Sequence, residues 1–385
     1  MRITGLDVIR IGVNRRGDWL FARLTTDAGL TGLGEASHGG DGPDRDGHVA
    51  AILQRRCLPL LHGLDPCAVL SALVALAPVA DGFAGATAVS ACEQALWDLA
   101  GQAAGLPVHR LFGGPTRERI PLYANINRAT VERTPEGFAR NAAAAAEGFG
   151  AVKLAPFDGL DRARLRERDG RERIGRGLAC VAAVRAAVGV EVEVYVDCHS
   201  RFDVATAVEV ATAVEVATTL RALGVTWCEE PVPTADLSAL LRLRPLLESQ
   251  GLEHLGGEHL GGVGAVWPYL AAGVWDTIMP DVKHCGGIAE AVAIGRLATA
   301  RGVGVAPHNP SGPVAMAATA QVVAALPTVR ALEYAWGEVP WRAELVEPPE
   351  RIEGGALIVP TGPGLGIGLN AAVVAARRVG NAVGS

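Results

Sequence analysis

Lysine is almost missing from this chain: of its 35 cationic residues, only Lys153 and Lys283 are not arginine. An ammonium is a compact charge on a flexible stem that the planar guanidinium does not imitate, so a position that stays lysine against this bias is a candidate for needing one. Runs of basic residues are missing too, and a net charge of -6 with pI ≈ 5.9 argues against a nucleic-acid partner. The seven cysteines (57, 67, 92, 180, 198, 228 and 285) are odd in number and form no CxxC pair, so neither a disulfide framework nor a structural zinc site is indicated. A reducing cytoplasm is expected. The Val-rich stretch Val204 to Thr219 carries Glu209 and Glu215, so no membrane segment is expected either. The opening MRITGLDVIRIGV alternates like a strand and lacks the apolar region and cleavage site of a signal peptide.

At about 150 residues per domain the length suggests two or three domains, although one barrel can absorb ~250 residues. Three strands are predicted at Arg2 to Val13, Trp19 to Thr26 and Leu30 to Ser37. A Gly-rich polar loop then leads to helices around His48 to Leu61, Cys67 to Leu76 and Ala86 to Ala104. Strands followed by helices imply an α+β capping unit over residues 1–119. From Ile120 onward, short apolar runs alternate with helix-length segments, the pattern of repeated βα units. The runs are Leu122 to Ile126, Ala151 to Leu154, Val192 to Val196, Thr226 to Cys228, His254 to Gly257, Thr277 to Met279, Val303 to Ala306 and Ala331 to Glu333. Eight such units close a (β/α) barrel, here residues 120–350. The near repeat VATAVEVATAVEVAT (Val204 to Thr218) duplicates part of one outer helix. Residues 351–385, rich in Gly and Pro and then helical at Ala371 to Arg378, are expected to return to the capping domain.

At the end of these runs stand Lys153, Asp197, Glu229, Glu258, Asp281, His308 and Glu333. From Asp197 on, successive members are one βα unit apart, between 23 residues (258 to 281) and 32 (197 to 229). They should ring the C-terminal mouth, where barrel active sites sit. Asp197, Glu229 and Glu258 are carboxylates on successive strands and would repel one another unless a cation lay between them. An all-oxygen set with positions left for water and substrate suits one Mg²⁺ per subunit better than zinc. Asp281 beside His308 would fix the tautomer of the imidazole and raise its basicity, making His308 a general base. His199, two residues beyond Asp197, falls on the same side by strand alternation and is a second candidate acid or base.

These residues sit in VDCHS (Val196 to Ser200), CEEP (Cys228 to Pro231), GEH (Gly257 to His259), MPDVKHCGG (Met279 to Gly287), APHNPSGP (Ala306 to Pro313) and LEY (Leu332 to Tyr334). In order and spacing the set resembles the enolase superfamily, and within it the mandelate racemase-like group that includes acid-sugar dehydratases. ALWDLAGQAAGLPVHRLFGG (Ala95 to Gly114) is similar to that family's junction between cap and barrel, so the resemblance covers nearly the whole chain. It implies a modified, enolase-like barrel of TIM type under an N-terminal α+β cap. It implies Asp197, Glu229 and Glu258 as metal ligands with Glu230 behind them, and His308 with Asp281 as the base dyad. Lys153 in VKLAP matches the first lysine of the family's Lys-x-Lys motif, which steadies the substrate carboxylate. Glu333 resembles the acid that hydrogen-bonds the enediolate.

Two departures narrow the expectation. Asp281 stands where the muconate-lactonising and succinylbenzoate-synthase branches have a lysine, and Ala155 stands where mandelate racemase has its second base. His199 matches the histidine that galactonate- and mannonate-type dehydratases use to expel a β-hydroxyl. The implied reaction is Mg²⁺-dependent dehydration of an aldonic or aldaric acid to a 2-keto-3-deoxy acid. The alternatives are a racemase or epimerase working through the same enediolate, reprotonating from Lys153 or His199, and a catalytically silent protein that binds acid sugars. The partner would be a small carboxylate substrate, and barrel enzymes of this kind commonly form homo-oligomers. Candidates for contacting the substrate are Arg15, Arg16, Trp19, His38 and the loop Ser37 to Asp41 toward its far end, with Trp336 and Glu338 after the last strand, and Lys283, which either reaches the mouth beside Asp281 or packs behind it. Cys198, Cys228 and Cys285, which adjoin site residues, read as small apolar fillers.

Overall fold

The computed structural model describes residues 1–15, 17–39, 44–165, 167–205 and 207–380. Arg16 and the Gly40 to Asp41 part of the expected substrate loop lie outside the described residues. The chain opens with β1 (Ile3–Asn14), β2 (Gly17–Thr26) and β3 (Thr31–Glu35), an antiparallel meander. Strand alternation gives this sheet two buried faces. Leu6, Val8, Leu20, Ala22 and Leu24 pack toward the cap helices, whereas Ile9, Ile11, Trp19 and Phe21 join the cluster that continues into the barrel. Against β3 lies the helix Gly82–Ala104, so close that a Cβ at Gly34 would come within 1.9 Å of the Ala91 carbonyl oxygen. Glycine at this strand position permits that contact.

The second body is built on eight parallel strands: β4 (Arg119–Asn125), β5 (Ala151–Leu154), β6 (Glu193–Asp197), β7 (Val225–Glu229), β8 (Glu253–Gly256), β9 (Thr277–Ile278), β10 (Gly304–Val305) and β11 (Leu332–Ala335). They pair in sequence from β4 to β10, and β11 returns to β4 with Leu332 opposite Leu122. Between β10 and β11, Arg330 N donates to Val305 O at 2.8 Å and Glu333 N to Pro307 O at 3.4 Å. β9 and β10 are shorter than predicted because Pro280 and Pro307 follow almost at once, and proline has no N–H for the ladder. Helices between the strands cover the outside.

A separate interior cluster shows how the strands face. Tyr123, Ala151, Tyr195, Trp227, Leu255, Met279, Ala306 and Ala331, one from each strand or its immediate flank, pack together within the barrel. Tyr195 stacks on Trp227 with centroids 3.9 Å apart. Two residues further along seven of these strands come Asn125, Lys153, Asp197, Glu229, Asp281, His308 and Glu333. A period of two returns each to the interior, one layer nearer the mouth.

The tail does two things. Short strands at Ile352–Glu353 and Ala356–Ile358 extend the sheet antiparallel to β4. Further on, Leu365 N donates to Asp98 Oδ1 and Val379 N to Arg10 O, tying the chain back to the cap. Among the described residues no helix is long and apolar enough to cross a membrane.

Candidate active site

Where the cap meets the strand ends lies a cavity of about 580 Å³. His199, Glu258, Lys283 and His308 line it, as do His38 and Arg45 of the cap. Lys153, Asp197, Glu229, Asp281 and Glu333 are buried and form the layer next to it. Lys153 Nζ lies 2.7 Å from Glu229 Oε1, 2.8 Å from Glu229 Oε2 and 2.9 Å from Glu333 Oε1. Burial alone would lower the ammonium pKa, but Glu229 and then Glu333 outweigh it and hold Lys153 charged, well above the usual lysine range. Glu333 is fixed from two further sides, by the Asn125 amide and by the Asn309 backbone N–H at 2.8 Å.

On the opposite strands, His308 Nδ1 lies 2.8 Å from Asp281 Oδ2, and His308 Nε2 lies 3.2 Å from Glu258 Oε2. Asp281 is wholly buried, yet Lys283, His284 and His308 overcome the cost of burial and keep its carboxyl well below the usual carboxylate range. Lys283 Nζ sits 2.8 Å from the same Asp281 oxygen and 3.2 Å from His284 Nε2.

His199 reaches the site by a turn rather than by strand continuation. It and Ser200 adopt left-handed backbone, φ 46 and 57, a conformation that non-glycine residues hold only when their surroundings enforce it. Here the turn folds the ring back so that Nε2 lies 2.7 Å from Asp197 Oδ2 while the backbone N–H donates to Asp197 Oδ1. Asp158 meets Nδ1 from the other side and is itself held by Arg133 at 2.7 Å. Burial would discharge the imidazole, but Asp197 and Asp158 outweigh it, and His199 is held protonated, well above the usual histidine range.

The three expected metal ligands occupy neighbouring strand ends, but their oxygens turn to the nearest cations: Glu229 to Lys153 and Asp197 to His199. Among the described residues, the group of three carboxylate or imidazole side chains that could hold an ion, with one atom from each all within 4.8 Å of one another, is Glu230, Glu258 and His259. Glu230 Oε1 is already an acceptor for Gly257 N at 3.0 Å and Thr234 Oγ1 at 2.8 Å. Glu258 is pushed well above the usual carboxylate range by burial and then by the neighbouring charges of Glu230, Asp197 and Glu229.

The expected substrate-contacting residues divide. His38 and Lys283 line the cavity, while Arg15, Trp19 and Trp336 are not brought to it. Trp19 is a core residue because the barrel-facing side of β2 carries it against Trp341, with Arg342 above the ring. Arg15 is exposed and donates to the Val131 carbonyl, and Trp336 is half-buried against the barrel core. Glu338 is buried and pairs with Arg128 at 3.0 Å. Sequence reasoning missed Asn125, Arg128, Arg133 and Asp158. For Asn125 a signal existed, the two-residue step beyond Tyr123. The others lie in loops that no periodicity constrains. Cys198, Cys228 and Cys285 are buried, with the first two sulfurs 3.9 Å apart.

Residues 8–113 match the family model described as the N-terminal domain of mandelate racemase / muconate lactonizing enzyme, and residues 137–373 match Enolase C-terminal domain-like. A D-gluconate dehydratase of Thermoproteus tenax is 34% identical over 77% of this chain, which spans 57% of that protein. A D-galactarolactone cycloisomerase of Agrobacterium fabrum is 31% identical over 74% of this chain and 72% of its own length. A D-xylonate dehydratase of Haloferax volcanii is 31% identical over 97% of this chain and 88% of its own. Among solved structures, a mandelate racemase/muconate lactonizing enzyme from Jannaschia sp. CCS1 superposes with TM-score 0.82 at 29% identity, covering 99% of this chain and 98% of that one.

Proposed function

Since the chain belongs to the mandelate racemase / muconate lactonizing enzyme family of the enolase superfamily, we propose that it dehydrates an acid sugar by removing the proton α to the carboxylate and expelling the β-hydroxyl. The observation that carries this reading is the pair of histidines lining one cavity, each held by carboxylates. His308 is clamped through Nδ1 by a carboxylate, the arrangement of a base. His199 is held as an imidazolium between two carboxylates, the state an acid must be in before it gives up its proton.

Asp197, Glu229 and Glu258 fit a divalent cation by donor chemistry: buried carboxylates on successive strands whose mutual repulsion an ion would relieve. Mg²⁺ held there would supply positive charge beside the substrate carboxylate. His308 takes the α-proton, and the electron pair moves into the carboxylate to give an enediolate. Lys153, fixed between Glu229 and Glu333, places an ammonium where that negative charge develops. His199 then protonates the departing β-hydroxyl, and the resulting enol becomes the 2-keto-3-deoxy acid. Ala155, buried where mandelate racemase has its second base, supports dehydration over racemisation by that pair of bases.

The test is to incubate purified protein and Mg²⁺ with aldonic and aldaric acids, with and without EDTA, and to detect 2-keto acid as its semicarbazone. No turnover across the set overturns the proposal. The cycloisomerase among the relatives favours an isomerase as the second reading, in which the enediolate is reprotonated without loss of water. Deuterium uptake from D₂O with no keto acid formed would select it.

A further inference from the structure

The cavity has a second polar end that the steps above leave unused. His38 and Arg45 from the cap and Arg128 from the segment after β4 line it. His38 Nδ1 lies 3.2 Å from Arg128 Nη2, and Arg128 Nη1 lies 3.0 Å from the buried Glu338. A guanidinium can only donate, so Nδ1 accepts and the proton of the neutral ring sits on Nε2. Burial, followed by the charges of Arg128, Lys283 and Arg45, keeps the ring neutral, well below the usual histidine range. Nε2 is buried and has no hydrogen-bond partner among the described residues. An N–H with nothing to donate to costs ~1–3 kcal/mol, which a ligand bearing an acceptor would recover.

Arg45 points to the same place. A Cβ at Gly17 would lie 2.8 Å from Arg45 Nη2 and 3.3 Å from His38 Nε2, so glycine at this position is what lets the two side chains come together there. The left-handed backbone of His38, φ 65, holds the ring in this position just beyond β3. Glu338 lies on the other amino group of Arg128 and orients the guanidinium toward His38.

A neutral N–H beside two guanidiniums, one of them oriented by Glu338, offers donors to a ligand, which matches an acceptor-only anion better than a hydroxymethyl group. We propose that this end takes a second carboxylate, so that the preferred substrate is a dicarboxylic acid sugar held with its far carboxylate against His38, Arg45 and Arg128. The proposal rests on the acid-sugar reading above and deepens it.

Matched acids that differ only in whether the terminal carbon is a carboxylate or a hydroxymethyl group provide the test. Their binding to the wild-type protein with Mg²⁺ is measured by isothermal titration calorimetry, and again in H38F and R128Q. The diacid is expected to bind at least about tenfold more tightly, and either substitution to remove most of that preference while leaving the monoacid within about twofold. Equal or tighter binding of the monoacid overturns the proposal, as does a preference that survives both substitutions. Turnover separates the two readings: a bound diacid that yields no keto acid overturns dehydration alone, and equal kcat/KM for both acids overturns the diacid preference alone.

Discussion

Nδ1 of His308 lies 2.8 Å from Oδ2 of Asp281, a carboxylate kept ionised despite complete burial. The carboxylate fixes the proton on Nδ1 and leaves Nε2 as the nitrogen that can accept one. Asp281→Asn presents an amide that stabilises the imidazolium poorly. We expect kcat to fall by ~10²–10⁴ with KM changed far less, and α-proton exchange with D₂O to fall in parallel. Exchange that stays at the wild-type rate would show that His308 is not the base, or not through this partner.

His199 and His308 are assigned different steps, and a single substitution can separate them. His199→Asn removes the acid but leaves the base, its carboxylate and Lys153 in place. The variant should therefore exchange the α-proton with solvent at a rate near that of the wild type while forming keto acid at least ~10²-fold more slowly. NMR of the substrate in D₂O, read alongside the semicarbazone assay, follows both reactions. Equal loss of exchange and dehydration would make His199 part of the proton-abstraction machinery instead.

Lys153 tests the floor of the site. Its ammonium is the cation shared by Glu229 and Glu333, all three side chains being buried. Lys153→Met leaves two buried carboxylates uncompensated, which costs about 3–5 kcal/mol and should lower the melting temperature as well as abolish turnover. Lys153→Arg should fail as a catalyst too, because a planar fork cannot place one charge between two carboxylates and a substrate. Differential scanning calorimetry with and without Mg²⁺ measures the first effect, and a melting temperature unchanged in Lys153→Met would refute it.

That floor was legible because a barrel strand repeats every two residues and a βα unit every few tens. Asp197, Glu229, Asp281, His308 and Glu333 each stand two residues beyond an apolar residue of the interior cluster, so register alone brings them to the mouth. Asn125 obeys the same rule but escaped notice because an amide does not titrate. Trp19 was misplaced for a different reason: β2 is buried on both faces, so its inner side leads into the barrel core and not to the cavity. Asp158 and Arg133 sit in loops, where sequence spacing does not specify position. Their salt bridge to each other and the contact of Asp158 with His199 depend on how two distant segments fold together.

The cap is coupled to the site through Glu93, and that coupling should depend on pH. Glu93, in the helix Gly82–Ala104, accepts from Ile288 N at 2.6 Å, Ala289 N at 2.8 Å and Trp97 Nε1 at 2.8 Å. The first two open the helix Ile288–Ala300, directly after the segment that carries Asp281 and Lys283. The fit requires glycine at Gly287, φ 96, where a Cβ would lie 2.0 Å from Glu93 Oε2. Burial pushes the Glu93 carboxyl up to about 8, against the three donors that favour its ionised form. A carboxyl whose pKa is higher in the folded state stabilises the fold while it is protonated. Its contribution is complete below the unfolded value near 4.5 and disappears as the pH rises through about 8, a change on the order of a few kcal/mol. Glu93→Gln keeps an acceptor for one backbone N–H and cannot ionise. The wild-type melting temperature should therefore fall between about pH 4.5 and pH 8, and the fall should be smaller in Glu93→Gln. Parallel curves for the two proteins would mean that Glu93 is ionised throughout, with its three N–H donors, rather than burial, deciding its charge.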